Sequence, residues 1–208
     1  MRRALIITTA LLLSGCATMS QEACLQGDWG GVGFKDGTQG YAQSRLDEHA
    51  KACAKSGVTP DAPLYFAARA RGLKLYCTPA SGFKEGREGS TYAGVCPEGS
   101  EPAFLDGYAD GQLVHAARNR LNAAQSDLSS ADARAERAER DVRGVEDELR
   151  NPALKEEQKR ELRDRLNRLK SERSRAVEDG RRADWARRDA EREVDELRAR
   201  FTRDYGPW

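Results

Sequence analysis

The sequence predicts an all-α protein: a small disulfide-bridged, Gly-rich helical module followed by a long antiparallel coiled-coil hairpin. Three observations carry this expectation. Apolar residues in the second half recur at alternating steps of three and four. Glycines in the first half recur at helical spacing, and all five Cys lie ahead of residue 100, four of them between 24 and 96. Of 208 residues, 33% are charged and only 7% aromatic, which leaves too little apolar material for one large core. Lys and Arg total 35 against 34 Asp and Glu, a net charge of +1. That balance argues against a nucleic-acid partner, because neutralising a phosphate backbone normally leaves a basic surplus.

Residues 1–15 read as a signal peptide. Met1-Arg2-Arg3 is a basic start, and the apolar run Ala4–Leu13 follows it. Ten residues rise only about 15 Å as a helix, half of a ~30 Å hydrocarbon core, so the run has signal-peptide rather than membrane-span proportions. The next residues, Leu13-Ser14-Gly15-Cys16, resemble the lipobox of bacterial lipoproteins. That resemblance implies that Cys16 is acylated (diacylglycerol with palmitate-type chains) and becomes the first mature residue, so the membrane is the partner of its lipid. Ala17, rather than Asp, follows it, which implies the periplasmic face of the outer membrane rather than inner-membrane retention. An ordinary secretory signal with a chance Cys is the competing reading. Residues 16–23 then read as a tether.

Removing Cys16 leaves Cys24, Cys53, Cys77 and Cys96, which in an exported chain read as two disulfides. Four Cys allow three connectivities. Sequential pairing, Cys24–Cys53 with Cys77–Cys96, closes two loops of moderate length and is the expected one. A metal site built on His49 and Cys53, four apart on a helix, is the weaker alternative, since no CxxC accompanies it; no metal and no cofactor are expected.

The bridged module is expected over residues 24–102. Gly33-Phe34-Lys35-Asp36-Gly37-Thr38-Gln39-Gly40 is echoed by Gly82-Phe83-Lys84-Glu85-Gly86-Arg87-Glu88-Gly89, and more weakly by Gly107 and Gly111 beside Phe104 and Tyr108. On an α-helix this spacing lines the glycines along one face. Each helical Gly costs about 1 kcal/mol relative to Ala, so another element must pack closely there. Asp-Gly and Glu-Gly turns between short strands are the alternative. The flanks show no period-two alternation, which favours helices.

With these residues the chain resembles the bacterial lipoproteins of domain of unknown function 2799. The resemblance rests on Cys24, Trp29-x3-Gly33-x2-Asp36-Gly37-x2-Gly40, Cys53, and Tyr65 through Gly72-Leu73 to Tyr76-Cys77. It continues in Gly82-Phe83-x2-Gly86-x2-Gly89-x2-Tyr92-x3-Cys96-Pro97 and Phe104-x2-Gly107-Tyr108-x2-Gly111, so it covers roughly residues 24–115. It implies no activity.

The hairpin is expected over residues 103–203, with 204–208 as a tail. One seam runs through Leu113, Ala117, Leu121, Ala124, Leu128, Ala131, Ala135, Ala138, Val142, Val145 and Leu149. Asn151-Pro152 interrupts it, because Pro lacks an N–H and disfavours helix for the residue before it. It resumes through Leu162, Leu166, Leu169, Ala176, Ala183, Ala190, Val194, Leu197 and Phe201, with Arg173, Gly180 and Arg187 also in seam positions. A symmetric fold-back pairs Val142 with Leu162, Ala138 with Leu166 and Ala135 with Leu169.

Chemistry is sparse. No Gly-rich phosphate loop follows a strand, and no Ser stands near a His in a nucleophile pattern. Asp36, Glu85, Asp106 and Asp110 each directly precede a Gly, and could be general acids of a sugar-binding cleft. Helix-surface charge beside a glycine groove is the plainer reading, and His49 and His115 read as helix-surface residues. The expectation is a non-enzymatic envelope lipoprotein that binds a protein or peptidoglycan partner, with no catalytic residues. A cell-wall-active enzyme using those carboxylates is the alternative. An efflux-adaptor-like hairpin ranks below both, since such hairpins are inserted within a flanking domain.

Overall fold

The computed structural model describes residues 18–208; the segment expected to be a signal peptide and Cys16 lie outside them. All regular structure among the described residues is helical: α1 Gln21–Gln26, α2 Trp29–Thr38, α3 Arg45–Cys53, a 3-10 turn Ala54–Ser56, α4 Ala62–Tyr76, α5 Pro79–Glu88, α6 Glu101–Leu149 and α7 Glu156–Tyr205. The glycine segments are therefore helices, not hairpin turns. The chain divides into two units. The first runs up to Ser81 and includes Thr91–Phe104; the second is Gly82–Ser90 with Leu105–Trp208.

In the first unit, short polar residues start the helices. Ser20, Asp28 and Asp61 accept hydrogen bonds from the backbone N–H groups of Ala23, Gly31 and Leu64 at 3.2, 2.8 and 3.0 Å. Residues 18–23 are folded rather than a tether: Met19 is buried, and it joins Cys24, Trp29, Leu46, Cys53 and Tyr65 in the core. The disulfides are Cys24–Cys53 and Cys77–Cys96, with Cα atoms 5.4 and 5.6 Å apart. Each can contribute about 2–4 kcal/mol by restricting the unfolded chain.

Helices α2 and α4 cross backbone on backbone. A Cβ on Gly33 or Gly37 would overlap the carbonyl oxygen of Tyr65 or Arg69, and one on Gly72 would lie 2.9 Å from the Gly37 Cα. This contact is what offsets the poor helix propensity of Gly. Within the second unit, α5 and the start of α6 repeat the arrangement. A Cβ on Gly86 would overlap the Tyr108 carbonyl, and one on Gly111 the Phe83 carbonyl. Gly86 thus corresponds to Gly37, and Gly111 to Gly72. The segment around Gly107 and Gly111 is therefore no third copy of the α2 pattern; it is the counterpart of α4, the helix that the pattern packs against. Gly40 and Gly89 close the two copies with φ of 67° and 74°, pressed against the rings of Tyr76 and His115.

In the second unit α6 and α7 pack side by side as a hairpin, each about 75 Å long at 1.5 Å per residue. The buried seam is Val114, Ala117, Ala124, Ala131, Ala138, Val142 and Val145 against Ala176, Gly180, Ala190, Val194 and Phe201. It departs from expectation at its start, where Val114 is buried and Leu113 is 48% exposed. The register also differs. Arg134 pairs with Asp179 at 3.4 Å, Glu139 with Arg173 at 2.8 Å and Glu146 with Lys170 at 3.0 Å, while Arg120 pairs with Glu193. The facing residues thus lie about two and a half turns further along α7 than a symmetric fold-back gives. The connection explains it. Leu154 of the linking segment lines a cavity with Gln158, Glu161 and Leu162, so α7 runs on past the end of α6 instead of starting level with it. Asn151 caps the break by accepting from the Ala153 N–H at 3.0 Å, and Gln158 accepts from the Lys155 N–H at 2.9 Å. Residues 204–208 are packed, not a free tail: the Tyr205 ring stacks on Phe83 at 4.3 Å, and Trp208 meets Phe83 edge-on at 5.7 Å.

Candidate functional site

The first unit holds a buried polar assembly. Asp36 sits on the glycine-bearing helix α2, His49 on α3 and Tyr65 on α4; their exposures are 5%, 3% and 0%. His49 Nε2 and the Tyr65 hydroxyl both lie against Asp36 Oδ2, at 2.8 and 2.7 Å, and His49 Nδ1 lies 2.8 Å from the Thr18 hydroxyl. One proton assignment satisfies every group. The Tyr65 O–H and His49 Nε2–H donate to the Asp36 carboxylate, and the Thr18 O–H donates to His49 Nδ1. Burial chiefly, and the bond to Asp36 next, push the Tyr65 phenol well above its ordinary value.

A cavity of about 500 Å³ adjoins this assembly, lined by Thr18, Lys35, Gln39, Tyr41 and Arg45 as well as Asp36 and His49. The Arg45 guanidinium stacks 4.5 Å above the Tyr41 ring, and its buried Nε has no hydrogen-bond acceptor among the described residues. Arg69, also buried, donates its Nε–H to the Tyr41 carbonyl at 3.1 Å and holds the segment after α2 in place.

The candidate carboxylates do not form one cleft. Asp36 belongs to the first unit, whereas Glu85, Asp106 and Asp110 belong to the second. Asp106 is exposed, Glu85 is half-buried, and Asp110 accepts a hydrogen bond from the Tyr205 hydroxyl at 2.8 Å. His49 is a buried core residue rather than a surface one, because Asp36 and Thr18 satisfy both ring nitrogens. His115 is half-buried and donates Nδ1–H to the Arg87 carbonyl at 3.2 Å. Cys53 is held in a disulfide, which removes the proposed His49–Cys53 ligand pair. No cluster of three or more metal-ligating side chains occurs among the described residues. Cys16 lies outside them.

Sequence reasoning missed Thr18 and Tyr65 as polar partners. One signal was available for Tyr65. It stands seven residues before Gly72, as Phe104 does before Gly111, so the two copies differ there by a single hydroxyl.

The architecture defines a class: an all-helical, doubly disulfide-bridged protein built on glycine-clasped helix pairs and extended by a long hairpin. Residues 28–113 match the family described as "Protein of unknown function (DUF2799)". The match covers both glycine clasps. No curated protein and no solved structure is significantly similar to the chain.

Proposed function

We propose that the protein is a lipid-anchored component of the bacterial cell envelope, held by Cys16 at the periplasmic face of the outer membrane, with a non-enzymatic, partner-binding role. The lipobox resemblance supports the anchor, and two disulfides suit an oxidising compartment. No described helix is long and apolar enough to cross a membrane, so attachment would fall to the lipid. The observation that carries the non-enzymatic reading is the state of Asp36. It is the buried carboxylate among the candidates, and it is already held by two donors on neighbouring helices, an arrangement that stabilises the unit. The partner surface in this reading is the hairpin, where Val177 and Trp185 stand 45% and 64% exposed on α7. A protein or peptidoglycan partner fits this reading. The enzyme alternative would draw on the cavity beside Thr18, His49 and Asp36.

Two measurements test it. Cys16→Ser should leave uncleaved precursor and abolish fatty-acid labelling; labelling that persists overturns the anchor. A photo-cross-linking residue at 177 or 185 should capture a discrete envelope partner in cells, and Asp36→Asn in the same chain should leave that capture intact. Absence of any adduct from either position counts against the hairpin as the binding surface.

A further inference from the structure

A second polar feature lies in the second unit, apart from the Asp36 assembly. Three guanidiniums converge on the indole of Trp208: Arg87 from α5 at 5.9 Å, Arg118 from α6 at 5.0 Å and Arg198 from α7 at 5.7 Å from the ring. Cation–π attraction accounts for each guanidinium over the ring face. It does not account for the in-plane donors, since the buried Trp208 Nε1–H and Arg87 Nε–H have no acceptor among the described residues. A buried donor without an acceptor is a standing penalty.

Charge is unbalanced as well. Arg87 has only Glu88, at 3.9 Å, and Arg198 has Asp195 on its own helix at 2.9 Å. Arg118 has no carboxylate within ion-pair distance among the described residues. Burial first, then the neighbouring Arg87 and Arg198 charges, hold the Arg118 guanidinium below the ordinary arginine range. Three like charges and two unpaired N–H groups are what an anion would satisfy together. Planar guanidinium forks match oxyanions by paired N–H donation. Forks arriving from three helices suit a tetrahedral, multiply charged group better than a carboxylate, whose two oxygens serve one fork.

We propose that Arg87, Arg118, Arg198 and the Trp208 indole N–H form a binding site for a phosphate group, carried by free phosphate or by a phospholipid headgroup. The test uses the full chain carrying Cys16→Ser, so that acylation contributes nothing to membrane binding. Calorimetric titration with sodium phosphate, at ionic strength held constant with chloride, should show saturable binding. Arg118→Met should weaken it at least tenfold, and Arg198→Gln provides a second variant should the first fail to fold. Arg188→Met, at a residue paired with Asp184 one turn before it on α7 at 3.0 Å, should bind like the parent. Sedimentation with phosphatidylglycerol vesicles identifies the source. Association that phosphate competes away and Arg118→Met abolishes assigns the headgroup, whereas phosphate binding without vesicle association assigns the free ion. Absence of saturable binding to both probes, or equal binding by the parent and the Arg118 and Arg198 variants, overturns the site.

Discussion

A Cβ on Gly86 would overlap the carbonyl oxygen of Tyr108, so α5 and α6 meet backbone to backbone at this point. The atom met is backbone, not the far end of a flexible side chain, so neither helix has a local way to yield. Gly86→Ala should therefore destabilise the protein by about 1–3 kcal/mol, the usual range for overpacking, in spite of better helix propensity. Gly144, on the outer part of α6, has open space where a Cβ would sit. Gly144→Ala should stabilise by up to about 1 kcal/mol. Urea denaturation of both variants checks the pair, and shifts of the same sign would refute the clasp.

The hairpin register has a covalent test. A Cβ on Gly180 would lie 3.8 Å from the Ala131 Cβ, the separation a disulfide prefers. Cysteines at 131 and 180 should oxidise within one chain and raise the melting temperature. Cysteines at 135 and 169, which a symmetric fold-back places together, should remain reduced. Non-reducing electrophoresis and thiol counting distinguish the two registers.

Tyr65→Phe removes one of the two donors to the buried Asp36 carboxylate. Leaving a buried acceptor short costs about 1–3 kcal/mol, so the variant should unfold at lower urea with the Cys24–Cys53 bridge intact. An unchanged midpoint would mean that His49 alone satisfies Asp36.

Alkaline pH should weaken the fold through the tyrosines. Burial first, and the bond to Asp110 second, raise the Tyr205 phenol from 10.0 to about 12, and Tyr65 moves the same way. The folded state thus holds these protons more tightly than the unfolded state. Their stabilisation is complete below pH 10 and is lost as pH climbs through the raised values. The urea midpoint should fall between pH 10 and pH 12, and Tyr205→Phe should flatten part of that fall. A midpoint independent of pH over this window would contradict the assignment.

Much of the architecture was legible because its signals are local. The seam residues Ala131, Ala138 and Val142, the Pro152 break and the helical spacing of Gly33 and Gly37 each depend on neighbours within a few turns. Register was not legible, since it is read from ion pairs between distant residues such as Arg134 and Asp179, and an Ala-rich seam looks alike after a shift. The site was less legible still. Asp36, His49 and Tyr65 stand 13 and 16 positions apart on three helices, and nothing in their spacing marks them as partners. The glycine echo was visible, but the weaker match at Gly111 belongs with Gly72, a pairing that the shared seven-residue step from Tyr65 and Phe104 hints at and the contacts of α4 and α6 establish.

Because each clasp is made of main chain, the side chains around it are free to diverge without disturbing the frame. Tyr65 of the first copy corresponds to Phe104 of the second, Asp36 to Glu85 and Arg69 to Tyr108, yet the contacts of Gly37 and Gly72 recur at Gly86 and Gly111. The molecule thus carries its own comparison: one frame fitted with a proton-bearing polar assembly, and one without it. Any role that depends on Asp36, His49 and Tyr65 belongs to the first copy alone. The second reveals how the frame stands when those groups are absent.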